Sequence, residues 1–277
     1  MIHSLKKAYP VSQMCRLMDV PRSSYYRFAK PGKAAFTPPA LLAAAREIHS
    51  ESRCSYGSRR MSQALRKLGH PVGRCRARTL MQEAQLAVRK QRSHRYRKAN
   101  GEALIAPNLL ARQFEPGAIN LIWAGDITYL RTRQGWSYLA IVMDLHSRRI
   151  VGWAFDIQPD TELVIHALRQ ARENRRPPKG VMFHSDQGCQ YTSARFVSEL
   201  LTNGMVQSMS RRGNCWDAVV ERFFRSLKSE WIGEQEYESH EHAKSDITEF
   251  IEKLYNAQRL HSAANNSSPA LYEASIL

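Results

Sequence analysis

The sequence contains no apolar run of about 18 residues or more, so nothing in it reads as a membrane-spanning helix. Its opening, "MIHSLKKAYPVSQM", lacks the apolar core of a signal peptide, so the expected location is the cytoplasm. Cysteine is scarce: Cys15, Cys54, Cys75, Cys189 and Cys215 are scattered, odd in number and never spaced C-x-x-C. That excludes a disulfide framework and suits reduced thiols. His49, Cys54, His70 and Cys75 follow H-x4-C-x15-H-x4-C, which matches no standard zinc finger and reads as core and surface. Repeats and low-complexity tracts are missing too, apart from a polar "SAANNSSP" near the end.

The most informative scarcity is of acid in the first part of the chain. Residues 1–100 hold 22 Lys/Arg but 4 Asp/Glu, a balance of +18, whereas residues 101–277 hold 19 and 21, a balance of −2. A block that basic points to a polyanionic partner, and nucleic acid is the expected one. The near-neutral remainder is expected to do something else.

Residues 1–30 read as two short helices. "VSQMCRLMDV" puts Val11, Met14, Cys15 and Met18 on one face, and "RSSYYRFAK" follows Pro21. This is a helix-turn-helix outline, with an ordinary helical hairpin as the alternative. "AKPGKAAFTPPA" reads as a linker, which closes a first segment at residues 1–38. Residues 39–88 are expected to be a small helical DNA-binding module. It is built from "LLAAAREIHSE", "YGSRRMSQALRKLG" with Arg59 and Arg60 as candidate DNA contacts, and "GRCRARTLMQEAQL". Residues 89–117 begin with "RKQRSHRYRKANGE", a basic linker in which Arg89, Lys90 and Arg92 are candidate phosphate contacts.

From about residue 118 the pattern changes. "NLIWAGDITYLRT", "WSYLAIVMDLHS" and "RIVGWAFD" read as three strands of an antiparallel meander. A helix over "DTELVIHALRQARENR", a strand "GVMFHSD", a helix "SARFVSELLTNG" and a strand "MVQSMS" follow, then two longer helices. The order β-β-β-α-β-α-β-α-α predicts an α/β domain with a five-stranded mixed sheet over residues 118–240. A C-terminal helix and tail are expected over 241–277.

Three acidic residues stand where strands end or helices pass. Asp126 lies in the first strand, Asp186 closes the fourth, and Glu221 lies on the helix after the fifth. On that helix Val220, Phe223, Phe224, Leu227 and Trp231 form an apolar stripe, with Glu221, Arg225 and Lys228 beside it. Three carboxylates would make an oxygen-rich site for Mg²⁺ or Mn²⁺, two of which suit phosphoryl displacement. Taken singly, Asp186 is as well explained as a turn cap before Gln187 and Gly188, and Glu221 as a solvated helix residue. Asp144, Asp156, Asp160 and Asp217 compete; Asp144 has Arg148 or Arg149 as its expected partner, and Asp217 reads as a helix cap. Spacing alone does not choose among them.

The segments "WAGDITYL", "HSDQGCQYTS", "SMSRRGNCWDAVVERFFRSLKSE" and "YNAQRLHSAANNSSPALYE" closely resemble the integrase-core transposases of bacterial insertion sequences, specifically the second-reading-frame product. The resemblance extends to "YGSRRMSQALRKLG" and covers nearly the whole chain. It implies a ribonuclease-H-like core with an Asp-Asp-Glu triad, which falls on Asp126, Asp186 and Glu221 as catalytic residues and metal ligands. Lys228 falls on the family's basic residue expected to contact terminal DNA, and Arg225 is a further phosphate-binding candidate. His184 and Gln187 flank the second Asp as the motif has them, and Tyr255, Asn256, Arg259 and His261 match the C-terminal segment. Two departures are visible. The family has one more residue between "CWD" and the Glu, so that 34 residues lie here between Asp186 and Glu221. A Leu-Gly pair is also missing after "HSA".

What the resemblance implies is metal-dependent cleavage at element ends, then attack of the freed 3′-OH on a second phosphodiester without a covalent intermediate. It also implies double-stranded DNA of element ends and target as partner, a homo-oligomer on paired ends, the upstream-frame protein as a further partner, and a nucleoid-associated location. A tyrosine recombinase using Tyr255, Arg259 and His261 is the mechanistic rival; packing and capping explain those residues more simply. The reading from another class is a catalytically inactive DNA-binding regulator or accessory protein of the same element.

Overall fold

The computed structural model describes residues 2–6, 9–29, 37–88, 105–111, 113–210 and 219–277. Two compact units emerge, Met1–Leu42 and Ala43–Leu277. The first contains α1 (Ile2–Leu5), α2 (Val11–Leu17) and α3 (Arg22–Ala29). Among its described residues, Met14, Cys15 and Tyr25 form the buried apolar set. The α2 face expected from spacing is therefore the inner one, and α1 is an element the apolar pattern did not announce.

Three helices follow: α4 (Pro39–Glu51), α5 (Ser58–Lys67) and α6 (Arg74–Glu83). Met61 and Leu65 of α5 pack with Ala77 and Leu80 of α6, all fully buried. The chain leaves α5 through Gly69 at φ +84°, a conformation that suits glycine at a helix end.

The larger part of the second unit is built on one sheet. β1 (Ile122–Thr132), β2 (Gly135–Asp144) and β3 (Ile150–Asp156) form the antiparallel meander; then come α7 (Thr161–Arg175), β4 (Met182–Ser185), α8 (Ala194–Thr202) and β5 (Val206–Met209). The spatial order is β3-β2-β1-β4-β5, with β1, β4 and β5 mutually parallel. This is the ribonuclease-H-like sheet that the resemblance implies. The parallel β1–β4 pairing covers only Ile122 to Ala124 opposite Met182 to His184, so the two strands part company beyond it.

Alternation along the strands fills both faces of the sheet. Trp123, Ala140, Val142 and Val151 pack against Leu163, Val164, Ala167, Leu168 and Ala171 of α7 and Phe196 and Leu200 of α8. Helix α7 lies so close that a Cβ on Gly152 would stand 2.5 Å from the Ala171 nitrogen. Asp160 caps α7 by accepting from the Leu163 N–H at 3.0 Å, so this competitor acid is structural.

The opposite face is covered by α9 (Val220–Ser226) and α10 (His240–Glu249), each continuing into a wider π-helical turn, Leu227–Ile232 and Phe250–Asn256. The predicted stripe Val220, Phe223, Phe224, Leu227 and Trp231 is buried there, with Phe250, Ile251, Leu254 and Tyr255. The expected start of the first of these helices and the Asp217 cap lie outside the described residues. The last helix, α11 (Pro269–Ile276), starts at a Ser268 cap with proline in its first turn.

Each sheet edge is partly covered. Asn256 lies against the β3 edge, where its side-chain oxygen accepts from Ile150 N–H at 3.0 Å and its nitrogen donates to Ile150 C=O at 2.9 Å. Beside β5, the Leu109 and Leu110 N–H groups donate to Ser208 Oγ, and Pro107 C=O accepts from Met209 N–H. This end of the expected basic linker is thus packed on the sheet, with Leu110 in the core.

Candidate active site

Asp126 and Asp186 are 60 positions apart in sequence, and the parallel β1–β4 pairing brings them to one place. Both line a cleft of about 170 Å³ at the point where the two strands diverge, with Thr128, Tyr129, Tyr138, Pro159, Gly188 and Gln190 around it. The parting of parallel strands is where an open α/β sheet leaves room for a ligand. The Asp126 Oδ1 accepts from the Ile127 N–H at 2.7 Å. Asp186 Oδ1 accepts from the Gly188 N–H at 2.9 Å, so the turn-cap role read from "DQG" is real and coexists with a place in the cleft. A Cβ on Gly188 would come within 2.9 Å of that same oxygen, and glycine keeps the carboxylate accessible.

The residues that flank Asp186 serve to hold the strand end. His184 is buried with Nδ1 2.9 Å from Ser208 Oγ, and Gln187 donates to Ser210 C=O at 2.9 Å. Cys189 is exposed and unpaired with any other cysteine.

Glu221 opens α9 and is solvent-exposed. It is not among the residues lining the cleft. Among the described residues no group of three His, Cys, Asp or Glu side chains is gathered to hold a metal ion. The structure thus joins the first two candidate carboxylates and leaves the third apart, on the helix immediately following residues 211–218, which lie outside the description. Two carboxylates in one cleft still form an oxygen donor set of the kind hard cations take.

Lys228, in the turn after α9, does not line the cleft but lies next to one of its residues. Its Nζ lies 4.5 Å from the Tyr129 ring centroid. Burial lowers the Lys228 pKa, while the negative charge of Asp126 opposes that shift. Arg225 is exposed, as is Arg59 on α5. Arg60, a candidate DNA contact by sequence, donates from Nη1 to Glu230 Oε1 at 3.1 Å and is already engaged inside the protein. Arg89, Lys90 and Arg92 lie outside the described residues.

The remaining competitors resolve into scaffolding. Asp144 is fully buried and, in place of the expected arginine partners, accepts from the N–H groups of Asn120, His146 and Ser147. Asp156 accepts from Ile157 and Gln158 N–H at the end of β3. Tyr255 is buried with its ring centroid 4.7 Å from those of Phe223 and His261, and burial pushes its hydroxyl up to about 12. Such a phenol is a packing group, which removes the recombinase nucleophile.

Sequence reasoning missed Glu230. It is mostly buried and accepts from Arg259 Nε at 2.8 Å, Arg259 Nη2 at 2.7 Å and Arg60. Burial alone would raise its carboxyl pKa; the bonds from Arg259 first and the charge of Arg60 next hold it lowered instead. For Arg259, burial alone would lower the pKa, and Glu230 outweighs it to leave it raised. Glu230 is part of "LKSE", but only its distant arginines reveal its role.

Comparison with known proteins gives a consistent picture. Integrase core domain family models match residues 118–215 and 203–269, and an HTH-like domain model matches residues 39–94. The chain is 36% identical over 263 residues to the insertion element IS600 31 kDa protein of Shigella sonnei, covering 94% of this chain and 97% of that one. It is 34% identical to the transposase InsF of insertion sequence IS3A from Escherichia coli, covering 96% and 94%. The transposase of IS904 from Lactococcus lactis is 35% identical, covering 88% and 97%. Among solved structures, a simian T-cell lymphotropic virus intasome chain aligns with TM-score 0.48 and 16% identity over 83% of this chain and 74% of its own. With near-full-length identity of this order to the transposases of IS904 and IS3A, the chain belongs to the integrase-core transposases of insertion sequences.

Proposed function

We propose that this transposase cleaves DNA at the ends of its insertion sequence and joins the freed 3′-OH to target DNA, as a polynucleotidyl transferase. The observation that carries the reading is the placement of Asp126 and Asp186 in one cleft with Lys228 beside it. Asp126, Asp186 and Glu221 would hold Mg²⁺ or Mn²⁺, taken as two ions. When bound, the ions would supply charge neutralisation at the attacking and leaving oxygens. The two aspartates anchor the site rigidly, because the sheet fixes one and a turn bond the other. Glu221, at the start of the following helix, would be the third ligand. Lys228 and Arg225 bind phosphate near the scissile bond, and Arg59 with Arg89, Lys90 and Arg92 follows the backbone further out.

The supporting distribution of charge is that the basic excess lies in residues 1–100 and the acidic cleft in the near-neutral remainder. The protein acts on DNA at the nucleoid, as a homo-oligomer that pairs two ends, with the upstream-frame product as a further partner. The test uses duplexes from the inverted repeats flanking the gene. Wild type should nick them with Mg²⁺ or Mn²⁺, and Glu221→Gln should not. Protein that binds the ends and never nicks them would instead be the accessory regulator.

A further inference from the structure

Arg53, just after α4, and Arg60, in the first turn of α5, reach across to the helical segment that carries Glu221 and Lys228. Arg60 donates to Glu230 Oε1, 170 positions away, and Arg259 donates to the same carboxylate through Nη2 to Oε1 and Nε to Oε2. The same Arg259 donates to Ser226 Oγ at 2.7 Å, one turn back on the same helix. The next residue, Trp231, takes the second arginine. The Arg53 guanidinium lies 3.2 Å above the Trp231 ring centroid and 3.3 Å from Asp246 Oδ1. Asp246 in turn accepts from Trp231 Nε1 and from Tyr237 Oη, each at 2.7 Å. Between the two arginines, Tyr56 Oη accepts from the Leu260 N–H at 3.3 Å.

These are strong and directional contacts: a buried carboxylate with three guanidinium bonds, and a planar cation stacked on the best aromatic face. They grip residues 230 and 231 of a continuous helical segment on which 221 and 228 also stand. A wide turn beginning at 227 sets Lys228 against Tyr129 while Glu230 faces the helical module. Arg59 and Arg60 divide accordingly: Arg59 is exposed and available to a ligand, while Arg60 is turned to the protein.

We infer that Arg53 and Arg60 are positioning residues that lock the helical module to the catalytic helix, so that DNA gripped by the module meets the Asp126–Asp186 cleft at one fixed spacing. The function of the lock rests on the DNA-cleaving activity proposed above; the lock itself does not. DNA recognition and cleavage then share one rigid frame, and the distance from recognised sequence to cut phosphodiester is measured by the protein.

The test compares full-length wild type, Arg53→Ala/Arg60→Ala, the milder Arg60→Gln alone, and Arg59→Ala. Nicks on inverted-repeat duplexes are mapped at nucleotide resolution, and amide hydrogen exchange is followed at 227–232. The double variant should keep end affinity within about threefold of wild type. Its nicks should spread over neighbouring phosphodiesters, its rate should fall about tenfold, and exchange at 227–232 should quicken. Arg60→Gln should show the same changes more weakly, and Arg59→Ala should lose affinity with the cut unmoved. A single unshifted cut with wild-type exchange in the double variant overturns the inference. So does a sharp loss of affinity with the cut unmoved, which would make the pair phosphate contacts. Wild type that never nicks sinks the proposed function; exchange then decides the lock alone, and unchanged protection at 227–232 rejects it.

Discussion

Glu221 and Glu230 stand on one helical segment and live in opposite surroundings. Glu221 opens the helix in solvent; Glu230, near its other end, is enclosed with Arg60 and Arg259 bonded to it. A carboxylate destined for chemistry has to be left accessible to ligands, whereas a carboxylate that fixes a helix is best saturated. On the proposed reading, charge on this helix has two separate uses, and each should be removable without the other.

The largest expected effect is on the exposed end. Glu221→Gln should reduce nicking by about 10³-fold or more, roughly 4 kcal/mol in barrier, with an unchanged melting temperature. A strand-nicking assay beside a thermal melt checks both halves; a melt that drops by many degrees would erase the contrast with Glu230. At the enclosed end, Arg259→Ala strips two bonds from a buried carboxylate and should cost about 3 kcal/mol of stability, read from urea unfolding. If that variant unfolds like wild type, Glu230 is no more structural than Glu221.

A third outcome comes from His261, beside Arg259. Burial first, and the Arg259 and Arg60 charges next, lower its pKa to about 3 in the folded protein. The unfolded chain therefore binds a proton that the folded one refuses, and stability falls as pH drops from about 6.5 toward 3. Between pH 6 and pH 5 the loss should be about 1 kcal/mol, and His261→Gln should flatten that slope in a series of melts. The smallest effect belongs to the solvent side. Arg225→Ala should weaken end binding about twofold to threefold and lower the salt slope by about one, without touching stability.

Much of this frame was legible in the sequence, for stated physical reasons. Strand alternation around "WAGDITYL" and "WSYLAIVMD" and the stripe from Val220 to Trp231 reflect burial on a sheet, which acts through local periodicity. Asp126 and Asp186 stood out as acids within or at the end of apolar strands, but only the family resemblance singled them out from Asp144, Asp156, Asp160 and Asp217. The role of Asp144 was misread because its partners are backbone N–H groups, which any sequence supplies. The wide turns at 227–232 and 250–256 leave no periodic mark, since they change hydrogen-bond register within an apolar run. Arg60 looked like one more basic residue on a basic helix; only tertiary packing brings Glu230 to it. Short α11 did carry a signal, Ser268 before Pro269, that a reading weighted to apolar stripes passes over.

Asn256 carries a practical consequence. By giving one acceptor and one donor to Ile150, its side chain imitates a neighbouring strand and occupies part of the open margin of β3. Unpaired strand margins recruit other margins, so a fragment trimmed after β5 or within α10 would expose an adhesive rim. Such a fragment should precipitate on expression. The smallest soluble piece of this transposase that keeps the cleft therefore has to extend through residue 256.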